Sequence, residues 1–256
     1  MTTISQAELK QVRALQQKKY RGETRRFLVQ GRKVVAELLA SALRTDAIYA
    51  SAEAAKWIGP AAAHRLVPVY VLAPHELDKV GTFETGNELV AVAIQPEEPA
   101  FRAPGPGELM LALDGVHDPR NMGGLLRIAD WFGLSRVLCS PECMEIYNPK
   151  VVQSTMGSIF RVPVRYAPLA DELSRCAAAG ARVYLASMDG APVFATTLSH
   201  PAVLVLGSES HGLSETLRAL NAPIISIPRY GQAESLNVAM AAAALCTEFA
   251  RQAHQT

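Results

Sequence analysis

The sequence predicts an α/β protein of two domains, the larger built on a mostly parallel sheet with helices on both faces. Three observations carry this. Short apolar runs of strand length alternate with helix-periodic stretches along the chain, the pattern of strand–helix–strand units. Several runs, among them Ala202 to Leu206, are continuously apolar and bounded by polar turns, as strands buried on both faces require. At residues 95–108 the segment QPEEPAFRAPGPGE holds four prolines and two glycines in fourteen positions, and such composition marks an inter-domain linker. The expected division is a domain over 1–95, a linker over 96–108 and a domain over 109–256.

Before the linker, Arg26 to Gln30, Asp46 to Ala50, Val67 to Leu72 and Glu88 to Ile94 read as strands. Gly31 to Ala42 places Val34, Val35, Leu38 and Leu39 on one helical face. After the linker, Leu109 to Leu113, Arg136 to Cys139, Ala181 to Ala186, Ala202 to Leu206 and Ile224 to Ile227 are strand-like. Met122 to Phe132 is helical with Gly133 as a stop, and Ser235 to Ala250 is a long closing helix.

The composition excludes several classes. With 49% hydrophobic and 19% charged residues, the chain can bury a real core and is not generally disordered. Its most apolar stretch, Val238 to Cys246, is nine residues, short of the roughly 18 a membrane helix needs. The N-terminal MTTISQAELK lacks a charged-then-apolar signal pattern, so the expected compartment is the cytoplasm. Cys139, Cys143, Cys176 and Cys246 are too few for a disulfide scaffold and lack a second pair at metal spacing. No metal is expected.

The net charge of +1 conceals an asymmetry. Residues 1–33 hold nine basic and two acidic residues, a net of +7, whereas the remainder holds 16 basic and 22 acidic, a net of −6. A local basic excess of this kind suits a phosphate backbone. Lys18, Lys19, Arg21, Arg25 and Arg26 are the expected phosphate contacts.

In open α/β sheets ligands bind at the loops that follow the carboxyl ends of the strands. Three such loops here are unusually polar: Asp114 to Arg127, Gly207 to Ser214, and Pro228 to Asn237. None fits a dinucleotide fingerprint, a P-loop or a nucleophile elbow. Local rules give their polar residues ordinary roles: Asn121 an N-cap for a helix starting near Met122, Ser235 an N-cap for the last helix, and Asn237 a first-turn position. By the same rules Glu209 is a loop carboxylate and Arg127 a solvated helix residue. His117 and His211 suit local hydrogen bonding.

Taken in order, the loops read D-x-x-x-D-P-x-N-x-G-x-x-x-R at Asp114 to Arg127, L-x-L-G-x-E-x-x-G-L-S at Leu204 to Ser214, and I-P-x-x-x-x-x-E-S-L-N-V at Ile227 to Val238. This order resembles the three motifs of the SpoU/TrmH family of RNA ribose 2'-O-methyltransferases, within the SPOUT superfamily. Ser154-Thr-Met-Gly157 resembles the family's S-x-G-type segment, and the run from Lys18 to Leu39 is similar to its L30e-like substrate-binding domain. Gln30 stands where the family commonly has glutamate, Arg229 where methionine follows Ile-Pro, and Ile128 where threonine is frequent.

The resemblance implies S-adenosylmethionine as cofactor and a ribose 2'-hydroxyl of structured RNA as acceptor, ribosomal before transfer RNA. It implies a deep trefoil knot, a cofactor pocket at Leu206, Gly207, Ile227, Pro228 and Leu236, and a homodimer. It also implies a catalytic set of Asn121, Arg127, Glu209, Ser235 and Asn237, with Arg127 as base or phosphate anchor. A guanidinium stays protonated and is a poor base, so an electrostatic clamp on RNA phosphate is the expected role. A non-catalytic RNA-binding or ribosome-assembly protein of this fold would be marked by substitution within that set, and all five residues stand.

Overall fold

The computed structural model describes residues 4–253. The chain forms two compact units: one holds the chain up to Glu97 together with Glu145–Arg161, the other Glu98–Met144 together with the chain from Val162 onward. The first unit begins with helices α1 (Gln6–Ala14) and α2 (Lys18–Thr24), then β1 (Arg26–Gln30), α3 (Arg32–Ala40), β2 (Thr45–Ala50), α4 (Ala52–His64), β3 (Val69–Val71), α5 (Pro74–Val80) and β4 (Leu89–Ile94). The second unit follows with β5 (Leu109–Asp114), α6 (Pro119–Trp131) and β6 (Val137–Cys139). Helix α7 (Pro149–Thr155) returns to the first unit. The second unit ends with β7 (Val164–Tyr166), α8 (Leu169–Ala178), β8 (Arg182–Pro192), β9 (Ala202–Gly207), α9 (Glu215–Arg218), β10 (Ile224–Ser226) and α10 (Val238–Ala253).

The first unit's sheet runs β1-β4-β2-β3, with β4 antiparallel to both β1 and β2 and β3 parallel to β2. Leu28, Val90 and Val92 from the strands pack with Leu9, Val12 and Leu15 before them and with Leu77 and Val80 of α5. Local chemistry marks the start of α1 and the end of α2. Ser5 and Glu8 form a capping box on α1, and Arg25, in the left-handed region at φ 54, breaks α2 from β1. The Gln30 amide donates to Asn87 Oδ1 at 2.5 Å and accepts from Thr82 at 2.7 Å. A glutamate there would keep the acceptor but not the donor.

The second unit's sheet runs β10-β8-β9-β5-β6-β7, and all five neighbouring pairs are parallel. Its core joins Met110, Ala112 and Leu138 to Val203, Val205 and Leu185, covered by Leu169, Leu173 and Cys176 of α8. This is the buried parallel sheet the apolar runs predict. Strand β7, only three residues long, carries no pattern of its own, and β8 continues past Ala186 to Pro192.

Two expectations about organisation change. Residues 98–108 are a strap on the second unit, not a free linker. The Arg136 guanidinium donates to the Ala100 carbonyl, Arg165 donates to the Pro99 carbonyl at 3.3 Å, and the Arg175 guanidinium lies 3.5 Å from the Phe101 ring centroid. Residues 145–161, by sequence inside the larger domain, belong with the first unit. Arg161 pairs with Glu37 at 2.6 Å, Tyr147 meets Phe27 with ring centroids 4.7 Å apart, and Gly157 takes φ +102 where a Cβ would lie 2.9 Å from Glu37 Cγ. Such docking is long-range and leaves no local periodicity.

Arg21 is corrected as a phosphate contact. It is 2% exposed. Its Nε donates to both Glu145 oxygens at 3.1 and 3.2 Å, its Nη2 pairs with the same carboxylate, and its Nη1 donates to the Leu15 and Gln16 carbonyls at 2.9 Å each. A buried ion pair broken from one side leaves an uncompensated charge. Arg21→Met is therefore expected to lower stability in urea unfolding by about 3–5 kcal/mol. Lys19→Gln, at an exposed pair with Glu23, should cost under about 1 kcal/mol. Equal effects of the two would contradict this assignment.

Candidate active site

The parallel sheet reverses its winding at β5: the chain proceeds from β5 to β6 and β7 on one side and later fills β8 and β9 on the other. A crevice opens at the carboxyl ends of the strands flanking such a point. Here those ends are Asp114 and Gly207, which stand opposite each other in register. The loop after β5 enters α6 through Asp118, whose side chain accepts from Arg120 N at 2.8 Å and Asn121 N at 2.9 Å, with Pro119 at the first helical position. Asp118 is thus the cap, and Asn121 lies inside the first turn. Proline is preorganised for the position after a cap.

Helix α10 begins at Val238, not Ser235, and its cap is Asn237, whose Oδ1 accepts from Ala239 N at 3.0 Å and Met240 N at 3.4 Å. Ser235 is exposed two residues earlier and makes no hydrogen bond among the described residues. Helices α6 and α10 pack closely enough that a Cβ on Gly124 would lie 3.2 Å from Ala239 Cβ. That proximity brings Asn237 to Asn121.

The two asparagines and Glu209 form one hydrogen-bonded chain. Asn237 Nδ2 donates to Asn121 Oδ1 at 2.8 Å, and Asn121 Nδ2 donates to the Glu209 carboxylate. Amide orientation is thereby fixed at both ends of Asn121. Both helices present N-terminal backbone dipoles, which favour a carboxylate nearby.

Glu209 rides on a tight turn. Ser208 N donates to Gly212 O at 3.0 Å and Gly212 N to Ser208 O at 2.9 Å. Gly212 has φ +66, and any Cβ on Gly207 would overlap the Gly212 backbone. Leu206 and Gly207 end β9 at the crevice, Ile227 and Pro228 follow β10, and Leu236 is an apolar side chain 53% exposed in the loop before α10. Arg127 lies nearly two turns beyond Asn121 on α6, exposed and without an ion pair or hydrogen bond among the described residues.

The structure therefore brings three of the five expected catalytic residues into direct contact and leaves Arg127 and Ser235 open to solvent. His211 Nδ1 and Ser210 Oγ are 2.8 Å apart, which is local hydrogen bonding. In the first unit, Lys18, Lys19, Arg25 and Arg26 are exposed. Arg25 donates to the Pro96 carbonyl at 2.7 Å, and Arg26 pairs with Asp46 at 2.9 Å. Ser154 to Gly157 also belongs to the first unit. Among the described residues no group of three or more His, Cys, Asp or Glu could hold a metal ion, and no helix is long and apolar enough to cross a membrane. Sequence reasoning missed Asp118 as the cap, although Pro119 after it was the available signal.

Gly207→Ala is expected to force the turn open and lower the thermal midpoint, with a cost of about 1–3 kcal/mol typical of overpacking. An unchanged midpoint would mean that the turn has room which the geometry denies.

The profile of the SpoU rRNA Methylase family matches residues 108–247, and that of the MRM3-like substrate binding domain matches residues 6–91. The chain is 33% identical over 239 residues to a 23S rRNA (guanosine(2553)-2'-O)-methyltransferase of Bacillus subtilis, covering 93% of this chain and 94% of the other. An AdoMet-bound rRNA methyltransferase from Sinorhizobium meliloti superposes with a TM-score of 0.87 at 28% identity, over 98% of this chain and 97% of that one. The SpoU methyltransferase AviRb from Streptomyces viridochromogenes, also with AdoMet, gives 0.86 at 28% identity, over 97% and 98%. Three ordered loop motifs, a switch-point crevice and these likenesses converge: the chain belongs to the SpoU rRNA methylase family and is an RNA methyltransferase.

Proposed function

We propose that the crevice transfers a methyl group from S-adenosylmethionine to a ribose 2'-hydroxyl of structured ribosomal RNA. The Asn237–Asn121–Glu209 chain at the β5/β9 switch point supports this reading best. The residues present fit the cofactor. Gly207 bears no side chain at the crevice and the neighbouring turn admits none, while the half-buried Ile227 and the exposed Leu236 offer apolar surface; Leu206 is itself buried. Leu206, Gly207, Ile227, Pro228 and Leu236 would hold it. When bound it supplies an electrophilic methyl on a sulfonium with a neutral leaving group.

The chain's own work is alignment and charge. Holding reactants in line is worth roughly 7–11 kcal/mol of barrier, and fixed donors act where charge develops. Asn121, oriented at both ends, is such a fixed group, and Asn237 locks it to α10. Glu209 fixes the Asn121 amide. Arg127, free to meet RNA, clamps a phosphate and electrostatically favours loss of the hydroxyl proton. Ser235 lies exposed in the same loop as Leu236, within reach of an incoming substrate.

In this reading the first unit, residues 1–95 with 145–161 docked on it, is the RNA-binding domain, with Lys18, Lys19, Arg25 and Arg26 on phosphate, and the second unit is the methyltransferase domain. The domain threads a trefoil knot and pairs as a homodimer in the cytoplasm. The resemblance of the three motifs to the family supports these assignments. Incubation with ribosomal RNA and S-adenosylmethionine, followed by mass analysis of nucleosides, should yield 2'-O-methylated products. Base-methylated nucleosides alone, or no product together with no calorimetric cofactor binding, would overturn the reading.

Changing Lys18, Lys19, Arg25 and Arg26 to glutamine should weaken RNA binding across sequences. It should also flatten the log–log salt slope by up to about 0.9 per lost duplex phosphate contact. Cofactor affinity should not change. Undiminished RNA affinity at low salt would show these side chains to be merely solvated.

A further inference from the structure

We propose that Asp114 is a positioning residue that clips the Gly207–Ser214 turn to the end of β5, and that Glu209 and the cofactor-facing backbone depend on this clip. The inference rests on the methyltransferase reading and adds to it a residue with no assigned role. The turn is held from outside by two side-chain hydrogen bonds. At its tip Asn121 donates to Glu209. At its base Ser214 N donates to Asp114 Oδ2 at 2.7 Å. Within it, Ser208 and Gly212 exchange backbone bonds and His211 N donates to Ser208 Oγ at 3.2 Å. It is a stiff tongue hinged on its two ends.

One end is covalent: Gly207 closes β9 opposite Asp114. The other leads into α9, a helix of four residues whose cap, Ser214, makes no side-chain capping bond. So short a helix supplies little rigidity of its own. The Asp114 carboxylate therefore fixes the exit of the tongue against the strand where its entry lies. With both ends pinned to β5, Glu209 is carried to Asn121 and the Leu206–Gly207 backbone is aimed into the crevice. Asp114 is itself steadied because the loop after it is held: Gly115 N donates to Ser140 Oγ at 3.1 Å, and Val116 N to Cys143 Sγ at 3.3 Å.

The clip can be cut from either side. Asp114→Ala removes the acceptor. Ser214→Pro removes the donor, and the φ of −61 at Ser214 already suits proline. Asp114→Asn keeps an acceptor oxygen in the same place. Calorimetry with S-adenosylmethionine, single-turnover methylation of RNA and unfolding midpoints are measured on the full chain. Asp114→Ala and Ser214→Pro should each weaken cofactor binding and slow turnover by about tenfold, as loss of a charge-assisted hydrogen bond implies, and Asp114→Asn should stay within about threefold of wild type. RNA affinity should hold in all three. Combining Asp114→Ala with Ser214→Pro should be no worse than either alone. Asp114→Asn as inactive as Asp114→Ala would make the carboxylate a proton acceptor and overturn the proposal, as would additive effects of the two cuts. Failure of the wild type to methylate ribose would instead sink the methyltransferase reading.

Discussion

Everything at the crevice depends on one asparagine having both ends of its amide occupied. Asn121 accepts from Asn237 and donates to Glu209, and the three residues come from three different parts of the sheet. Helix α6 follows β5, the turn bearing Glu209 follows β9, and Asn237 caps the helix that follows β10. The two flips of an amide are nearly equivalent unless its neighbours distinguish its oxygen from its nitrogen. Here one neighbour is a donor and the other an acceptor, so a single orientation satisfies both. The constraint explains why the residue types are as they are. Asp at 121 could not donate to Glu209, and Ser at 237 could not both cap α10 and reach across to α6.

The scaffold makes this contact possible. Strands β5 and β9 are adjacent and parallel, and the winding of the sheet reverses between them. The chain therefore leaves their carboxyl ends in diverging directions, and the loops cannot fill the space between. Glycines let the remaining backbone approach closely. At Gly207 the turn folds back so tightly that no side chain fits, and at Gly124 two helices meet. The first unit solves a different problem, presenting positive charge without losing a core. Its sheet is mixed, and Arg21 is withdrawn from the surface to hold Glu145 while four of its basic neighbours stay exposed.

Much of the fold was legible. The strands at Leu109, Ala202 and Ile224 begin within a residue of where apolar runs begin, because buried parallel strands admit few polar residues. The three loops were legible as polar and glycine-rich segments after strands, and their order carried the family. Cap assignment failed by three residues at α6 and by two at α10, since Asp118 and Asn121, like Ser235 and Asn237, are all good capping types. Only contact geometry chooses between them. The burial of Arg21 was hidden for a related reason: a run of basic residues does not say which one turns inward, and its partner Glu145 lies 124 positions away. The docking of residues 145–161 with the first unit and the strap at 98–108 are likewise tertiary facts without a local signature.

The organising role of the amide chain can be measured directly by a double-mutant cycle on Asn121→Ala and Asn237→Ala, read as the rate of methyl transfer under single-turnover conditions. If Asn237 acts through Asn121, the second substitution should cost little once the first is made, giving a coupling energy above about 1 kcal/mol. Effects that add to within about 0.5 kcal/mol would mean that the two asparagines serve the reaction independently, and would contradict the account.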